Sequence, residues 1–339
     1  MGLNEIWFII FIVVIAGYLI LDGFDMGVGI LHNFVARNDS ERRISLNSIG
    51  PVWDGNEVWL ILGGGVLFAA FPMAYASLFS GFYLAMMLVL LVMILRTVAI
   101  EFRSKRAGAT WRKVWDIIFG LTSAGLALLL GVAFGNIISG VPIDANGNMS
   151  VSLIDLLTPF AILIGVTTVA MFAMHGAIYL TMKTEGDLQA RVRRLLPRLM
   201  LVFFVLMTLS VLATAATRAD FMQAYLNNYW AAIFPAAALI ALIVSWRMLR
   251  TGHDFWAFIA SGAMIAFIII SGAVGMFPNL LVSTTDAAYN LTVYNAASAD
   301  NTLTVMLVIA LIGMPIVLLY TSGVYYFFRG KTQLGTDSY

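Results

Sequence analysis

Apolar runs long enough to cross a bilayer follow one another along almost the whole chain, and nothing else in the sequence restricts the fold as strongly. A spanning helix needs about 20 mostly apolar residues. In hydrocarbon only helices and closed barrels satisfy their own backbone polar groups. Nine runs are read, covering approximately residues 5–31, 53–73, 78–100, 114–138, 154–182, 197–217, 229–246, 255–277 and 302–328. The expected fold is therefore an all-α polytopic membrane protein, a single transmembrane domain over residues 1–339. Composition agrees: 61% of residues are hydrophobic and 11% charged, against about 25% charged in a soluble domain. That balance excludes water-soluble enzymes and disordered or collagen-like chains.

The few charges set the span count and the orientation. Arg37, Arg42 and Arg43 follow the first run; Arg103, Lys105, Arg106, Arg112 and Lys113 follow the third. Lys183, Arg191, Arg193, Arg194 and Arg198 follow the fifth, Arg247 and Arg250 the seventh, and Arg329 and Lys331 the ninth. With nine spans all of these fall on one face, Arg96 lies near the same face, and Arg218 alone lies opposite. Eight spans would split the basic loops between the two sides. The positive-inside rule then places the N-terminus outside and the C-terminus in the cytoplasm. Met1 to Phe8 carry no Lys or Arg, so the first run lacks the basic start of a secretory signal and is expected to be retained. A formal charge of +1 offers no basic patch for nucleic acid.

Acids at membrane depth are costly, about 2.5–3.5 kcal/mol at a helix centre, and usually have a partner or a function. Asp22 and Asp25 lie in the inner half of the first span, Asp54 and Glu57 open the second, and Glu101 closes the third. Each pair is spaced i,i+3 and shares a helix face. Two readings stay open. Carboxylates gathered on the cytoplasmic side can relay protons. Alternatively, Asp54-Gly55-Asn56-Glu57 is a capping box, and Asp22 and Asp25 bond Arg37, Arg42 or Arg96 in a buried network. Arg96 itself is expected to snorkel or to pair with Glu101.

Other motifs have plainer readings. The glycines of residues 22–29 (DGFDMGVG) and of Gly63-Gly64-Gly65 let helix backbones approach closely. Zero Cys removes thiolate-bound haem, iron–sulfur clusters and Cys-based zinc sites. Of three histidines, His32 lies near the inner end of the first span and His253 in a loop. His175 alone lies deep, about 12 Å along its helix from Lys183. One deep His makes no bis-His haem pair, so His175 is read as a hydrogen-bonding residue between helices, and no metal site is expected. Trp53 and Trp59 bracket the start of the second span, an aromatic belt, with Trp53 a candidate contact for quinone or membrane lipid.

Residues 22–29 (DGFDMGVG), Arg37-Asn38-Asp39, Glu41-Arg42-Arg43, Asn47-Ser48-Ile49, Pro51 and residues 53–59 (WDGNEVW) together resemble subunit II of cytochrome bd-type quinol oxidases. Ser80-Gly81-Phe82-Tyr83, residues 131–136 (GVAFGN), Gly140-Val141-Pro142, His175-Gly176-Ala177 and Gly275-Met276-Phe277-Pro278 extend the likeness nearly end to end. The resemblance implies a complex that oxidises quinol and reduces dioxygen to water in a prokaryotic plasma membrane. Two b-type haems and one d-type haem would be held by a partner, subunit I, and none by this chain. It further implies two four-helix bundles plus one helix, proton supply from the cytoplasm, a structural quinone in some members, and a small single-helix accessory subunit. Asp25, Asp54 and Glu101 carry over as the candidate proton pathway. Glu101 stands where some members have Asp, and His175 where some have Gln. The rival from another class is a proton-coupled secondary transporter, which the same acids would serve. Against it, there is no inverted repeat, and the acids sit near one face and not the midplane. A third reading is a purely structural subunit without a proton role.

Overall fold

The computed structural model describes residues 2–335; the first residue and the last four of the expected domain lie outside the described residues. Long helices dominate: α1 (Leu3–Val35), α3 (Trp53–Ala70), α5 (Tyr83–Phe102), α6 (Ala109–Ser139), α7 (Pro159–Lys183), α8 (Gly186–Thr217), α10 (Ile233–Arg250), α11 (Asp254–Met276) and α12 (Asp300–Phe327). Between them lie the short helices α2 (Asp39–Ile49), α4 (Pro72–Gly81) and α9 (Ala219–Asn227). A long helix overlaps each expected span. Eight are long and apolar enough to cross a membrane. α3 differs, because it has 18 residues, about 27 Å, and opens on Asp54, Asn56 and Glu57.

Several boundaries differ from the sequence reading for physical reasons. α8 starts at Gly186, well before Pro197, because Leu188, Val192 and Leu196 lie on one buried face of a charged segment and continue the helix outward. α7 starts at Pro159, not residue 154, with Thr158 capping Ala161 N at 3.1 Å. The turn at Pro72 holds the extra helix α4. The link read as loop after the first span contains α2, whose N-cap Asn38 accepts from Glu41 N at 2.9 Å. The long polar loop from Pro278 holds a small antiparallel pair, β1 (Asn279–Leu281) with β2 (Leu291–Thr292). Val141 N donates to Val282 O at 2.9 Å and ties this loop to the end of α6.

α1 is the centre of the packing. It contacts α3, α6, α7 and α11, while α10 pairs with α11 and α5 with α6. Its approach to α7 depends on glycine, since a Cβ at Gly27 would overlap the Phe172 carbonyl and one at Gly176 would overlap the Gly27 backbone. Gly63 likewise faces the Ile15 side chain, but Gly64 and Gly65 face open space. Close packing within this chain does not explain those two. α12 is nearly all exposed, with Leu303 its one buried side chain among the described residues.

Contacts across the helices separate two ends. At one, Lys331 Nζ donates to Thr181 O at 3.0 Å and Thr184 O at 2.8 Å, Arg191 Nε to Val35 O at 2.9 Å, and Arg193 pairs with Asp254 at 2.6 Å. At the other, Trp7 Nε1 donates to Leu303 O at 2.9 Å and Ser298 N to Ala70 O at 2.9 Å. Arg218 lies at this second end, bonded to the Ile138 carbonyl and paired with Asp220 at 2.5 Å. The basic segments thus gather at one end, and Arg218 stands apart from them.

Candidate functional site

The polar centre of the molecule forms around Arg96, which α5 presents inward and which is fully buried. Its guanidinium grips Asp22 of α1 with two bonds, Nη2 to Oδ1 at 2.5 Å and Nη1 to Oδ2 at 3.0 Å. Nη1 also reaches Glu57 Oε1 of α3 at 3.1 Å. The expected pairing with Glu101 is thus replaced. Arg96 turns into the bundle and does not snorkel, because two carboxylates there give its planar fork a bidentate partner.

Asp25 lies one turn beyond Asp22 and is fully buried. Asn56 Nδ2 donates to Asp25 Oδ2 at 2.7 Å and lies 3.3 Å from Leu21 O. The Tyr325 hydroxyl of α12 donates to Asn56 Oδ1 at 2.9 Å. Asp25 Oδ1 has no hydrogen-bond partner. Phe24 stacks on Tyr179 at 4.1 Å between ring centres and closes this side of the cluster. Three carboxyls therefore surround a single guanidinium. Full ionisation would leave two uncompensated negative charges in the interior, which burial makes expensive.

The other two sequence candidates lie outside this centre. Asp54 is exposed in the first turn of α3, and Glu101 is partly buried near the end of α5. α3 has Val52 as its N-cap with no side-chain cap bond, so the expected capping box does not form. Helix geometry turns Asp54 outward while Asn56 and Glu57 face α1. Trp53 is 6% exposed. It packs within the apolar core.

A second buried cluster escaped the sequence reading. Asp116 of α6 accepts from His32 Nε2 at 2.8 Å, Arg103 Nε at 2.5 Å and Arg42 Nη1 at 3.3 Å. Asp39 of α2 accepts from Arg103 at 2.9 Å and Arg112 at 2.8 Å. This cluster locks α2 against the ends of α5 and α6. The signal was present, since Asp116 is an acid three residues after the basic Arg112-Lys113, where cations must find partners. Asn56 and Tyr325 were missed as well, for neither is ionised at neutral pH and nothing in the spacing joins the second span to the last.

Neither buried histidine has a ring nitrogen free for a haem. His175 is fully buried, its Nε2 donating to Ile20 O at 3.1 Å and its Nδ1 facing the Ser261 hydroxyl at 2.8 Å. Its ring stacks on Phe258 at 5.0 Å. Both nitrogens of His32 are engaged too, by Asp116 and by Ser45 at 3.3 Å. Among the described residues no group of three or more His, Asp or Glu is arranged to hold a metal ion. A cavity of about 240 Å³ beside the end of α6 is lined by Asn136, Ser139, Asp155 and their neighbours, with no His or Met.

Comparison with known proteins identifies the setting of this site. The family model described as cytochrome bd terminal oxidase subunit II matches residues 3–328. A curated relative, cytochrome bd ubiquinol oxidase subunit 2 of Bacillus subtilis (strain 168), is 39% identical over 334 residues, covering 98% of this chain and 97% of the relative. Cytochrome bd-I ubiquinol oxidase subunit 2 of Escherichia coli (strain K12) is 38% identical over 361 aligned residues, covering 97% and 95%. A chain in the solved structure of bd oxidase from Geobacillus thermodenitrificans shares the fold, with a TM-score of 0.81 at 19% identity over 97% of this chain and 99% of that one. A helical membrane protein built around buried carboxyls, matched along nearly its whole length, belongs to the cytochrome bd terminal oxidase subunit II family.

Proposed function

We propose that this chain assembles with a haem-bearing subunit I into a quinol oxidase that reduces dioxygen to water, and that it conducts protons toward that partner from the cytoplasmic side. The chain crosses the bacterial plasma membrane nine times, as two four-helix bundles and one further helix, with its basic end in the cytoplasm. α3 completes the odd count, sheltered by α1 and continued by α4. The redox chemistry belongs to haems in the partner, in keeping with histidines whose nitrogens are already engaged.

Asp25 carries this reading: a fully buried carboxyl with one oxygen unpartnered, in a cluster where three acids share one cation. Such a cluster accommodates protons on its carboxyls, and a carboxyl that changes protonation state can pass them on. Asp54 and Glu101 are the proposed outer members. Asp54 lies one helical turn from Glu57 and is exposed on α3, as handover to a neighbouring subunit requires. Glu101 lies near the basic end, where protons arrive.

The test is quinol-driven oxygen uptake and proton uptake by the purified complex carrying Asp25→Asn or Asp54→Asn, with haem content read from the visible spectrum. The expected result is full haem content with turnover lowered at least tenfold in Asp25→Asn. Normal turnover in both variants would leave the acids a structural role only.

A further inference from the structure

A buried carboxyl that takes up and releases a proton needs hydrogen-bond partners in both states. Ionised, it accepts only; protonated, it also has an O–H to donate. An unmatched group in the interior costs about 1–3 kcal/mol, so a fixed donor suits one state and opposes the other. The partner of Asp25 is not fixed. An amide presents a donor on one side and an acceptor on the other, and a phenol hydroxyl can do either.

We propose that Asn56 and Tyr325 form a reversible hydrogen-bond pair that accommodates Asp25 in both protonation states, with Tyr325 as a positioning residue. This rests on the reading of Asp25 as a proton carrier. In the arrangement observed, Tyr325 donates to Asn56 Oδ1 at 2.9 Å and Asn56 Nδ2 donates to Asp25 Oδ2 at 2.7 Å. Every donor points toward the carboxylate, the order that suits ionised Asp25. A half-turn of the Asn56 amide reverses the chain. Protonated Asp25 then donates to Asn56 Oδ1, Asn56 Nδ2 donates to the phenol oxygen of Tyr325, and the Tyr325 O–H gives up its bond to Asn56. Only the Asp25 O–H bond forms or breaks. The proton arrives at the Asp25 carboxylate and leaves from it, while Asn56 and Tyr325 neither gain nor lose one. The reversal gives up the 3.3 Å hydrogen bond from Asn56 Nδ2 to Leu21 O, one of the longer bonds in the cluster.

The surrounding groups single out Asp25 for this role. Asp22 and Glu57 are both bonded to Arg96. Asp25 is bonded to neutral Asn56, with its other oxygen unpartnered. The titratable groups turned toward it are Asp22, Glu57, Arg96, Tyr179 and Tyr325. Of the two tyrosines, Tyr179 donates to Ser48 O at 2.6 Å and is already committed. Tyr325 comes from α12, which is otherwise almost bare of buried side chains. It reaches the buried amide from the helix whose Met314 and Val324 lie partly buried against the core.

The experiment compares the wild-type complex with Tyr325→Phe and Asp25→Asn. Haem content is read from the visible spectrum, turnover from quinol-driven oxygen uptake, and Asp25 from the infrared carboxyl band that Asp25→Asn removes. Tyr325→Phe is expected to assemble with full haem content, to displace that band, and to slow turnover about three- to tenfold. An unmoved band with normal turnover, beside an impaired Asp25→Asn, would overturn the inference and leave the proton role of Asp25 standing. Normal turnover in Asp25→Asn would overturn that role and the inference together. A second measurement needs no substitution. In wild-type complex labelled with ring-deuterated tyrosine, the infrared difference between protonated and ionised Asp25 is expected to contain a label-sensitive tyrosine band. Its absence would overturn the inference.

Discussion

Removing Arg96, the cation that Asp22 and Glu57 share, should cost more than any other single change in their cluster. Arg96 is fully buried and makes three charged hydrogen bonds, at 2.5, 3.0 and 3.1 Å, to Asp22 and Glu57. Arg96→Met keeps much of the side-chain volume and leaves both acids, with Asp25, without a counter-ion. Breaking a buried pair from one side costs about 3–5 kcal/mol, roughly 100- to 4000-fold in the ratio of folded to unfolded protein at 1.4 kcal/mol per tenfold. Extrapolating the size trend to a chain this long, at about 1–2 °C per kcal/mol, the thermal midpoint should fall by about 3–10 °C. The assay is thermal unfolding of the complex in mild detergent, followed by helical circular dichroism and haem absorbance together. Neutralising the acids as well, in Arg96→Met with Asp22→Asn, Asp25→Asn and Glu57→Gln, should recover most of the loss, because no unpaired charge then remains in the cluster. A midpoint equal to wild type in Arg96→Met, with no coupling to Asp22→Asn, would refute the reasoning.

Gly27→Leu should block assembly outright. Overpacking usually costs about 1–3 kcal/mol, but here the obstacle is the Phe172 carbonyl of α7, which cannot move aside; a complex recovered in normal yield would count against that contact. His175→Ala should leave the haem spectrum unchanged while lowering stability by about 1–3 kcal/mol through unpaired Ser261 and Ile20 groups. Loss of a haem band would contradict the assignment of its nitrogens. Acid should release α2. Burial raises the Glu41 pKa, but the Arg37 amide and the Arg191 guanidinium outweigh it and hold the carboxyl below its usual value. A carboxyl depressed in the folded state contributes stability above its unfolded pKa of about 4.3 and loses it as pH falls through the folded value. Protection of the amides in residues 39–49, taken relative to intrinsic exchange at each pH, should therefore fall below about pH 4 in wild type and already be lower at neutral pH in Glu41→Gln; identical protection throughout would argue against the tie.

The helices were legible because each apolar run is long and each basic flank marks an end. What charge and hydropathy did not show is where polar side chains turn once the helices pack. Asp22 and Arg96 are 74 residues apart, and only the docking of α5 on the bundle turns Arg96 away from the near neighbour Glu101. Asp54 and Glu57 share a helix face on an i,i+3 count, yet one is exposed and the other bonds Arg96, because the boundary between covered and open surface runs between them. α2 was readable in principle. Asn38 with Glu41 three residues on is an N-terminal signal, but its apolar positions are too few to register in a search for membrane spans.

Tyr325 shows the same limit from the other side. Read in sequence, it is one aromatic among several near the end of a terminal span, and the belt of a membrane helix accounts for it. Its meaning depends on Asn56, which depends in turn on Asp25, and these three lie on α12, α3 and α1. α12 is seated by one buried side chain, Leu303, and by partly buried ones, Met306, Leu307, Met314 and Val324 among them. If it moved, the hydroxyl would leave the Asn56 carbonyl oxygen, and the amide would lose the partner that keeps its donor on Asp25. The seating of α12 therefore sets the hydrogen-bonding state of a carboxyl buried elsewhere in the bundle.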